Sequence, residues 1–254
     1  MPCTRAVPSS SRGVSMLSRW AIPIAGIDPA GVKLDHLHAV ACRWVDDEHW
    51  RSPKDWSVRP MRSVDGMGVV EVATLTHAAR DRLLGRVSAG SEVRFGGSRG
   101  TVLTDPHPVA SADWTEFTTQ TAAASWDVHF LTPTAFGNGS RFSPWPDPFA
   151  MGRSLIQRWN AVHPEGAIEI DPAGWSKVWV SDVDGCSEVL HLAGLTVSGY
   201  LGRIRYVCTD PGVAGVFDRL LRLAEYAGVG RYTARGLGTV AMVPLSPSVG
   251  QSVA

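Results

Sequence analysis

The stretch Ala227–Pro244 (AGVGRYTARGLGTVAMVP) most constrains what this chain can fold into. It contains four glycines, at positions 228, 230, 236 and 238, and ends in an apolar run, Thr239–Val243. The segment before it, Val213–Tyr226, has apolar residues at helical spacing. The sequence therefore predicts a helix, a glycine-rich basic loop and a short strand, in that order.

This order of elements excludes two kinds of nucleotide-binding loop. A dinucleotide fingerprint follows a strand and opens a helix, and its third glycine would fall at Thr233. A Walker loop needs a Gly-Lys-Ser/Thr run, which this stretch lacks. The stretch instead predicts a backbone that approaches a polyanion closely, with exposed N–H groups and two guanidinium groups. The residues predicted to make these contacts are Gly228, Gly230, Arg231, Arg235 and Gly236. The alternative is a tight helix-to-strand connection in which Gly228 caps the helix.

The composition is that of a globular protein with room for one large domain or two ordinary ones. Its 254 residues include 24 basic and 24 acidic side chains, and this balance argues against a non-specific nucleic-acid binder. Basic residues are nevertheless concentrated in 50–63 and 201–244, so any contact with a nucleic acid is expected on one face. No apolar run approaches the ~18 residues of a membrane span, and no membrane partner is predicted.

The four cysteines, at positions 3, 42, 186 and 208, are scattered without a C-x-x-C pair. This spacing predicts neither a zinc site nor a disulfide framework, and we expect a reduced, cytoplasmic protein without a cofactor. Residues 1–15 lack the apolar core of a signal peptide. They are predicted to be a disordered extension, with Met16 as a candidate for the true start.

The rest of the chain predicts the element order βαββαβ twice. In the first half we expect strands at Trp20–Ile24, Trp56–Arg62, Met67–Leu75 and within Ser91–Thr104, and helices at Leu34–Val45 and from Thr76 to about Val87. Because the first strand contains a proline, it suits an edge or a bulge.

The second half follows a weakly patterned segment, Thr104–Ala124, where we place the domain boundary. The predicted domains are 16–110 and 125–245. In the second we expect strands at Trp126–Leu131, Lys177–Val180, Val189–Val207 and Thr239–Val243, helices at Asp147–His163 and Val213–Tyr226, and a turn at Asp184–Gly185.

Three segments of the second half form a set with the glycine-rich loop: FLTPTAF (130–136), PWPDPFAMGRSLIQRWN (144–160) and LTVSGYLGRIRY (195–206). This set resembles the C-terminal domain of the CRISPR-associated repeat-processing endoribonucleases. The first half is similar more loosely, through His49 and KDWSVRPM (54–61). The resemblance implies an α+β fold of two tandem ferredoxin-like domains. It also implies metal-independent cleavage of CRISPR precursor RNA within its repeats, with 5′-hydroxyl and 2′,3′-cyclic phosphate ends.

Such cleavage requires a base for the 2′-OH proton, a cation for the charge on phosphorus and an acid for the leaving 5′-oxygen. Histidine suits the acid or base because its pKa lies near working pH. With the resemblance, His49 is the first catalytic candidate and Lys54 the candidate cation, with Arg51 and Arg59 as substitutes. Family members often supply a tyrosine near the first helix, but this chain has none before Tyr200. Some members instead have a two-histidine arrangement, and the resemblance implies that His38 on the first helix is a candidate for that place, its alternative being a core histidine.

The resemblance implies that repeat RNA, or the guide RNA made from it, lies across both domains. Besides the glycine-rich loop, the residues expected to contact RNA are Arg203, Arg205, Arg51 and Arg59. The rival prediction is a non-catalytic subunit that holds the end of a guide RNA, with other subunits of an interference complex as partners. The missing tyrosine favours this rival, whereas His49 with Lys54 opposes it.

Overall fold

A computed structural model describes residues 16–243, except for 51, 119–123, 140 and 193. The predicted disordered extension, residues 1–15, lies outside the described residues. The chain forms two halves, each an antiparallel sheet with helices packed against it. No described helix is long and apolar enough to cross a membrane.

The first half contains the predicted βαββα order and then three short strands. Its elements are β1 (Met16–Ala25), α1 (Leu34–Val45), β2 (Trp56–Val64), β3 (Met67–Thr74), α2 (His77–Arg86), β4 (Glu92–Phe95), β5 (Ser98–Val102) and β6 (His107–Asp113). The sheet order is β2-β3-β1-β5-β4, and β6 also pairs with β1. The β4–β5 hairpin thus takes the place of the fourth strand of a ferredoxin-like domain.

Local sequence explains the helices of this half. One face of α1 is apolar and buried, as its periodicity predicts, and the helix has the predicted bounds. Its buried residues are Leu37, Val40, Ala41, Trp44 and Val45. Helix α2 begins after Thr76, whose hydroxyl accepts a hydrogen bond from the Ala79 N–H, as a capping residue does.

The proline of β1 does not mark an edge strand, because β1 pairs on both sides. The pairing of β1 with β6 ends at Ala21, and its pairing with β5 begins at Ile24. The Pro23 carbonyl accepts from the Leu103 N–H at 2.9 Å, on the same side of the strand as the proline nitrogen. Pro23 therefore lies between the part of β1 that pairs with β6 and the part that pairs with β5, where the sheet requires no N–H donor from β1.

The second half has ferredoxin-like strand order. It contains α3 (Trp114–Thr118), β7 (Ser125–Thr134), a small hairpin of β8 (Phe136–Asn138) and β9 (Arg141–Ser143), α4 (Pro148–Val162), α5 (Pro172–Trp175), β10 (Val178–Leu192), β11 (Leu195–Cys208), α6 (Pro211–Ala227) and β12 (Val240–Val243). The sheet order is β10-β11-β7-β12, and α4 and α6 contribute to the core beneath it. The predicted helix at Asp147–His163 is confirmed, with Asp147 as its N-cap.

The predicted turn at Asp184–Gly185 was wrong. Asp184 and Gly185 form no turn, because they lie within β10 and pair with Arg203 and Gly202 of β11. The polar side chains that suggested a turn belong to a long, solvent-exposed hairpin. The described part of the segment in which we placed the boundary contains regular elements: β6 completes the first sheet, while α3 places Trp114 and Phe117 in the core of the second half.

The glycine-rich loop lies against the first half. A Cβ built on Gly236 would be 3.3 Å from Leu34 and 3.4 Å from Pro60. Ser57 and Arg59 of β2 donate to the carbonyls of Tyr226 and Glu225 at 2.6 and 2.9 Å. The loop therefore forms part of the contact between the halves. Gly228 is the C-cap of α6, which confirms the alternative interpretation of this glycine.

We expect Gly238→Ala to destabilise the fold far more than Gly66→Ala. Both glycines have positive φ, +67° and +77°, so alanine at either costs about 1–2 kcal/mol of backbone strain. A Cβ on Gly238 would overlap the Val229 carbonyl oxygen, adding about 1–3 kcal/mol of overpacking, whereas nothing lies near Gly66. Urea unfolding midpoints measure the difference, and equal losses of stability would contradict this account.

Candidate active site and RNA-binding surface

Two histidines predicted from the sequence lie together where the two halves meet. His38 projects from α1, and His49 lies in the loop that follows. Their ring centroids are 5.9 Å apart, and the Trp56 ring stacks on His38 at 6.1 Å. The second half completes the site, because the His38 Nδ1 lies 2.8 Å from the carbonyl oxygen of Ala234 in the glycine-rich loop.

This bond fixes the tautomer of neutral His38. A carbonyl oxygen can only accept, so Nδ1 must carry the proton and Nε2 must hold the lone pair that can accept one. Burial lowers the pKa of His38; the Ala234 bond opposes this effect, and the positive charge of Arg235 adds to it. The imidazole is therefore held neutral with Nε2 as a proton acceptor.

His49 differs from His38 in exposure. Its side chain is 74% exposed, with Nδ1 3.5 Å from an Asp46 carboxylate oxygen. Burial disfavours the ionised form of Asp46, but the hydrogen bond and charge of Lys54 together with those of His49 outweigh it, and the pKa of Asp46 is lowered. Asp46 is therefore a carboxylate at neutral pH and can stabilise a protonated His49.

Lys54, the candidate cation, has all of its ammonium donors bonded within the protein. Its ammonium donates to the Asp46 carboxylate at 2.6 Å and to the carbonyls of Glu48 and His49 at 2.8 Å each. An ammonium has three protons, and all three are used within this loop. Lys54 therefore holds the loop that carries His49.

Cys42 brings a third metal-ligating side chain to the histidine pair. Its sulfur lies 3.6 Å from the His38 Nε2 and 3.8 Å from the His49 Nδ1. The three residues offer ligand atoms within 4.8 Å of one another, a set that could hold a metal ion. Burial and the nearby Asp46 raise the pKa of the thiol to about 11. No metal ligands were predicted from the sequence, in which the i, i+4 spacing of His38 and Cys42 on one helix was the available signal.

Three glycines of the loop use their N–H groups for hydrogen bonds within the protein. The N–H groups of Gly228, Gly230 and Gly236 donate to the Ala224 carbonyl, the Ser154 hydroxyl and the Thr233 carbonyl. Gly228 and Gly236 are also buried. The expectation of exposed N–H groups was therefore wrong at these three positions, because the groups are already hydrogen-bonded internally.

The two loop arginines occupy different surroundings. Arg231 is exposed, whereas Arg235 pairs with Asp35 of α1 at 2.9 Å. Arg235 thus adds an ion pair between the halves close to His38.

The other predicted RNA-binding arginines have protein partners where the structure describes them. Arg203 and Arg205 share Asp127, and Arg203 also pairs with Asp182. Arg59 donates to the Glu225 carbonyl and lies 3.8 Å from Glu71. Arg51 lies outside the described residues. These pairs lower the free positive charge that Arg59, Arg203 and Arg205 offer, and their contact with RNA stays a prediction.

A cavity of about 420 Å³ opens beside the histidine site, between the two halves. Lys54 lines it from the first half, and Arg231 and Ala234 from the glycine-rich loop. Helix α4 adds two cations that the sequence analysis did not select, Arg153 and Arg158, although both fall within the segment PWPDPFAMGRSLIQRWN.

Comparison with known proteins confirms the resemblance found in the sequence. Residues 128–240 match the model of the family "CRISPR-associated endoribonuclease Cas6". Proteins of that name from two strains of Mycobacterium tuberculosis are 28% identical over 233 residues, which cover 84% of this chain and 72% of theirs.

Solved structures extend the similarity to the whole fold. A Cas6 product complex has a TM-score of 0.74 at 19% identity, covering 90% of this chain and all of the other. Thermus thermophilus Cas6 has a TM-score of 0.66 at 18% identity, covering 90% of this chain and 99% of its own. The α+β fold of two tandem ferredoxin-like domains is confirmed, and the comparisons support an endoribonuclease.

We expect Lys54→Met to loosen the His49 loop while leaving the fold intact. The change removes three hydrogen bonds from residues 46–49, so hydrogen–deuterium exchange should rise in that loop and stay unchanged in α1. Lys33→Met is the matched control, because Lys33 is exposed at the start of α1. Unchanged exchange in the loop of Lys54→Met would contradict the tethering role.

Proposed function

Since this chain resembles the CRISPR-associated endoribonucleases in sequence and in fold, we propose that it cuts CRISPR precursor RNA within the repeats. The observation that carries this proposal is the facing pair of His38 and His49 at the contact between the two halves. Cleavage by the RNA's own 2′-OH needs one group to accept a proton and another to donate one. The two imidazoles have different surroundings that suit these two tasks.

His38 is the proposed general base. Its Nδ1–H is held by the Ala234 carbonyl, which leaves the Nε2 lone pair to take the 2′-OH proton. The resulting imidazolium keeps its bond to Ala234, and the stacked Trp56 ring holds the imidazole plane.

His49 is the proposed general acid. The Asp46 carboxylate, 3.5 Å from Nδ1, supports the protonated imidazole, and exposure allows the ring to reach an RNA strand. As the 2′-oxygen attacks phosphorus, the bond to the 5′-oxygen breaks and that oxygen takes the His49 proton. The products are a 2′,3′-cyclic phosphate and a 5′-hydroxyl, and proton exchange with solvent resets both histidines.

Arg235 is the guanidinium beside this pair that can oppose charge on phosphorus. Its ion pair with Asp35 leaves part of the planar group open, since the side chain is 30% exposed. Lys54 acts as a positioning residue through the loop of His49. The exposed Arg231 would contact the RNA backbone.

The second candidate function is a non-catalytic subunit that holds the end of a guide RNA. Two observations favour it: all three Lys54 donors are used within the protein, and the chain has no tyrosine before Tyr200. Such a subunit would bind RNA on the same surface but would not cleave it.

Wild-type protein is expected to cut a cognate repeat RNA in EDTA and to leave a substrate with a 2′-deoxy at the scissile nucleotide intact. The reaction needs the 2′-oxygen as nucleophile and no metal. Product ends are identified by mass spectrometry. Because His38, Cys42 and His49 could hold an ion, loss of cutting in EDTA would overturn the metal-free route. Tight binding without cutting under either condition would favour the holding subunit.

His38→Ala and His49→Ala should each slow cutting by about 10²–10⁴-fold, but only His49→Ala should be rescued by a 5′-bridging phosphorothiolate. A thiolate leaves without protonation, so this substrate bypasses the acid and still needs the base. Single-turnover rates measure the effect, with the exposed His107→Ala as the matched control. Rescue of His38→Ala instead would reverse the two assignments.

A further inference from the structure

Arg158 of α4 is a cation buried without a counter-ion. The residue is buried, with only 8% of its surface exposed. Nη2 donates to the Thr233 hydroxyl at 2.7 Å, while Nη1 has no hydrogen-bond partner among the described residues. The one partner is neutral, so nothing in the described chain compensates the charge.

Burial of such a charge is unfavourable for the fold. Cations in protein interiors are normally paired. A buried ion loses its hydration, and only an opposite charge with good hydrogen bonds offsets that free-energy cost. Burial alone lowers the pKa of Arg158 to about 10. A guanidinium kept here at the expense of stability indicates that an anion completes the site in the functional complex.

The place for that anion is the cavity beside Arg158. Arg153 and Arg231 also line it, as does Lys54, whose charge is already paired with Asp46, and Asp147 is the one acidic residue in the lining. The Asp147 carboxylate already accepts from the Ala150 N–H at 3.0 Å as the cap of α4. The Ser154 hydroxyl accepts from the Gly230 N–H at 2.9 Å and so has its own proton left to donate.

The same cavity adjoins the histidine site. Ala234, whose carbonyl holds His38, is part of its lining, as is Lys54, which holds the loop of His49. When an RNA strand occupies the histidine site, the nucleotides next to the scissile bond therefore lie close enough to reach the cavity. Guanidinium groups suit the oxygens of a phosphate, with which they form paired hydrogen bonds.

We propose that this cavity binds a phosphodiester of the RNA strand and that Arg158 is the buried guanidinium that neutralises it. The identity of the strand rests on the proposed function, whereas binding of a phosphate group does not. His38, Cys42 and His49 do not line this cavity.

The first test is Arg158→Met, which keeps much of the side-chain volume and removes the charge. We expect RNA affinity to fall about ten- to a hundredfold, because a charge-assisted hydrogen bond is lost. We also expect the melting temperature of the free protein to stay the same or rise. A merely structural arginine gives the opposite pattern, a lower melting temperature with RNA affinity unchanged, and that result would overturn the proposal.

Inorganic phosphate is the second probe. It should raise the melting temperature of wild type and of the control Arg80→Met, whose arginine pairs with Asp81 on α2, but not that of Arg158→Met. Arg158→Lys should be intermediate, since it keeps the charge without the planar fork. If Arg158→Met fails to fold, this lysine variant carries the test, and phosphate stabilisation equal to wild type would contradict the site.

RNA with single neutral methylphosphonate linkages distinguishes a strand phosphate from a free phosphate ion. One linkage near the scissile bond should weaken binding to wild type, and Arg158→Met should be insensitive to that change. Equal sensitivity of both proteins at every linkage would overturn the strand assignment. Failure of the proposed catalysis would appear separately, as binding that keeps this pattern with no cut product.

Discussion

The hydrogen bond between His38 and Ala234 joins the two halves at the point where the candidate chemistry lies. It connects α1 to the glycine-rich loop across 196 residues of sequence. The loop can reach α1 only because its glycines allow close backbone approach and positive φ, and because Gly236 leaves room for Leu34 and Pro60. The tautomer of His38, the ion pair of Arg235 with Asp35 and one wall of the cavity all depend on this contact.

Charge in this protein is mostly neutralised within it, and the exceptions are informative. Asp127 is shared by two arginines that lower its pKa, and Asp46 is held by Lys54. These pairs explain how a chain of zero net charge can keep basic stretches without becoming a non-specific polyanion binder. Exposed Arg231 and buried Arg158, which have no ion-pair partner among the described residues, both line the cavity between the halves.

Helices and their ends could be predicted from the sequence because their signals are local. The apolar periodicity of α1 and the caps Thr76 and Asp147 lie within a turn of the elements they define. The β10–β11 hairpin could not be predicted, since its exposed strands lack the alternation that burial produces and Asp184–Gly185 has the composition of a turn. The histidine pair was predicted through resemblance. The Ala234 contact and the burial of Arg158 depend on how distant elements pack, for which one sequence contains no local signal.

The separation of His38 from Ala234 also orders events during synthesis. A nascent chain exposes α1 and both imidazoles early, long before the ribosome has made α6 and the loop after it. Until that loop docks, the imidazole of His38 has no carbonyl to set its tautomer, and the cavity has no wall on that side. The growing polypeptide therefore carries the two imidazoles in an unassembled form while it is still held on the ribosome that translates its messenger RNA.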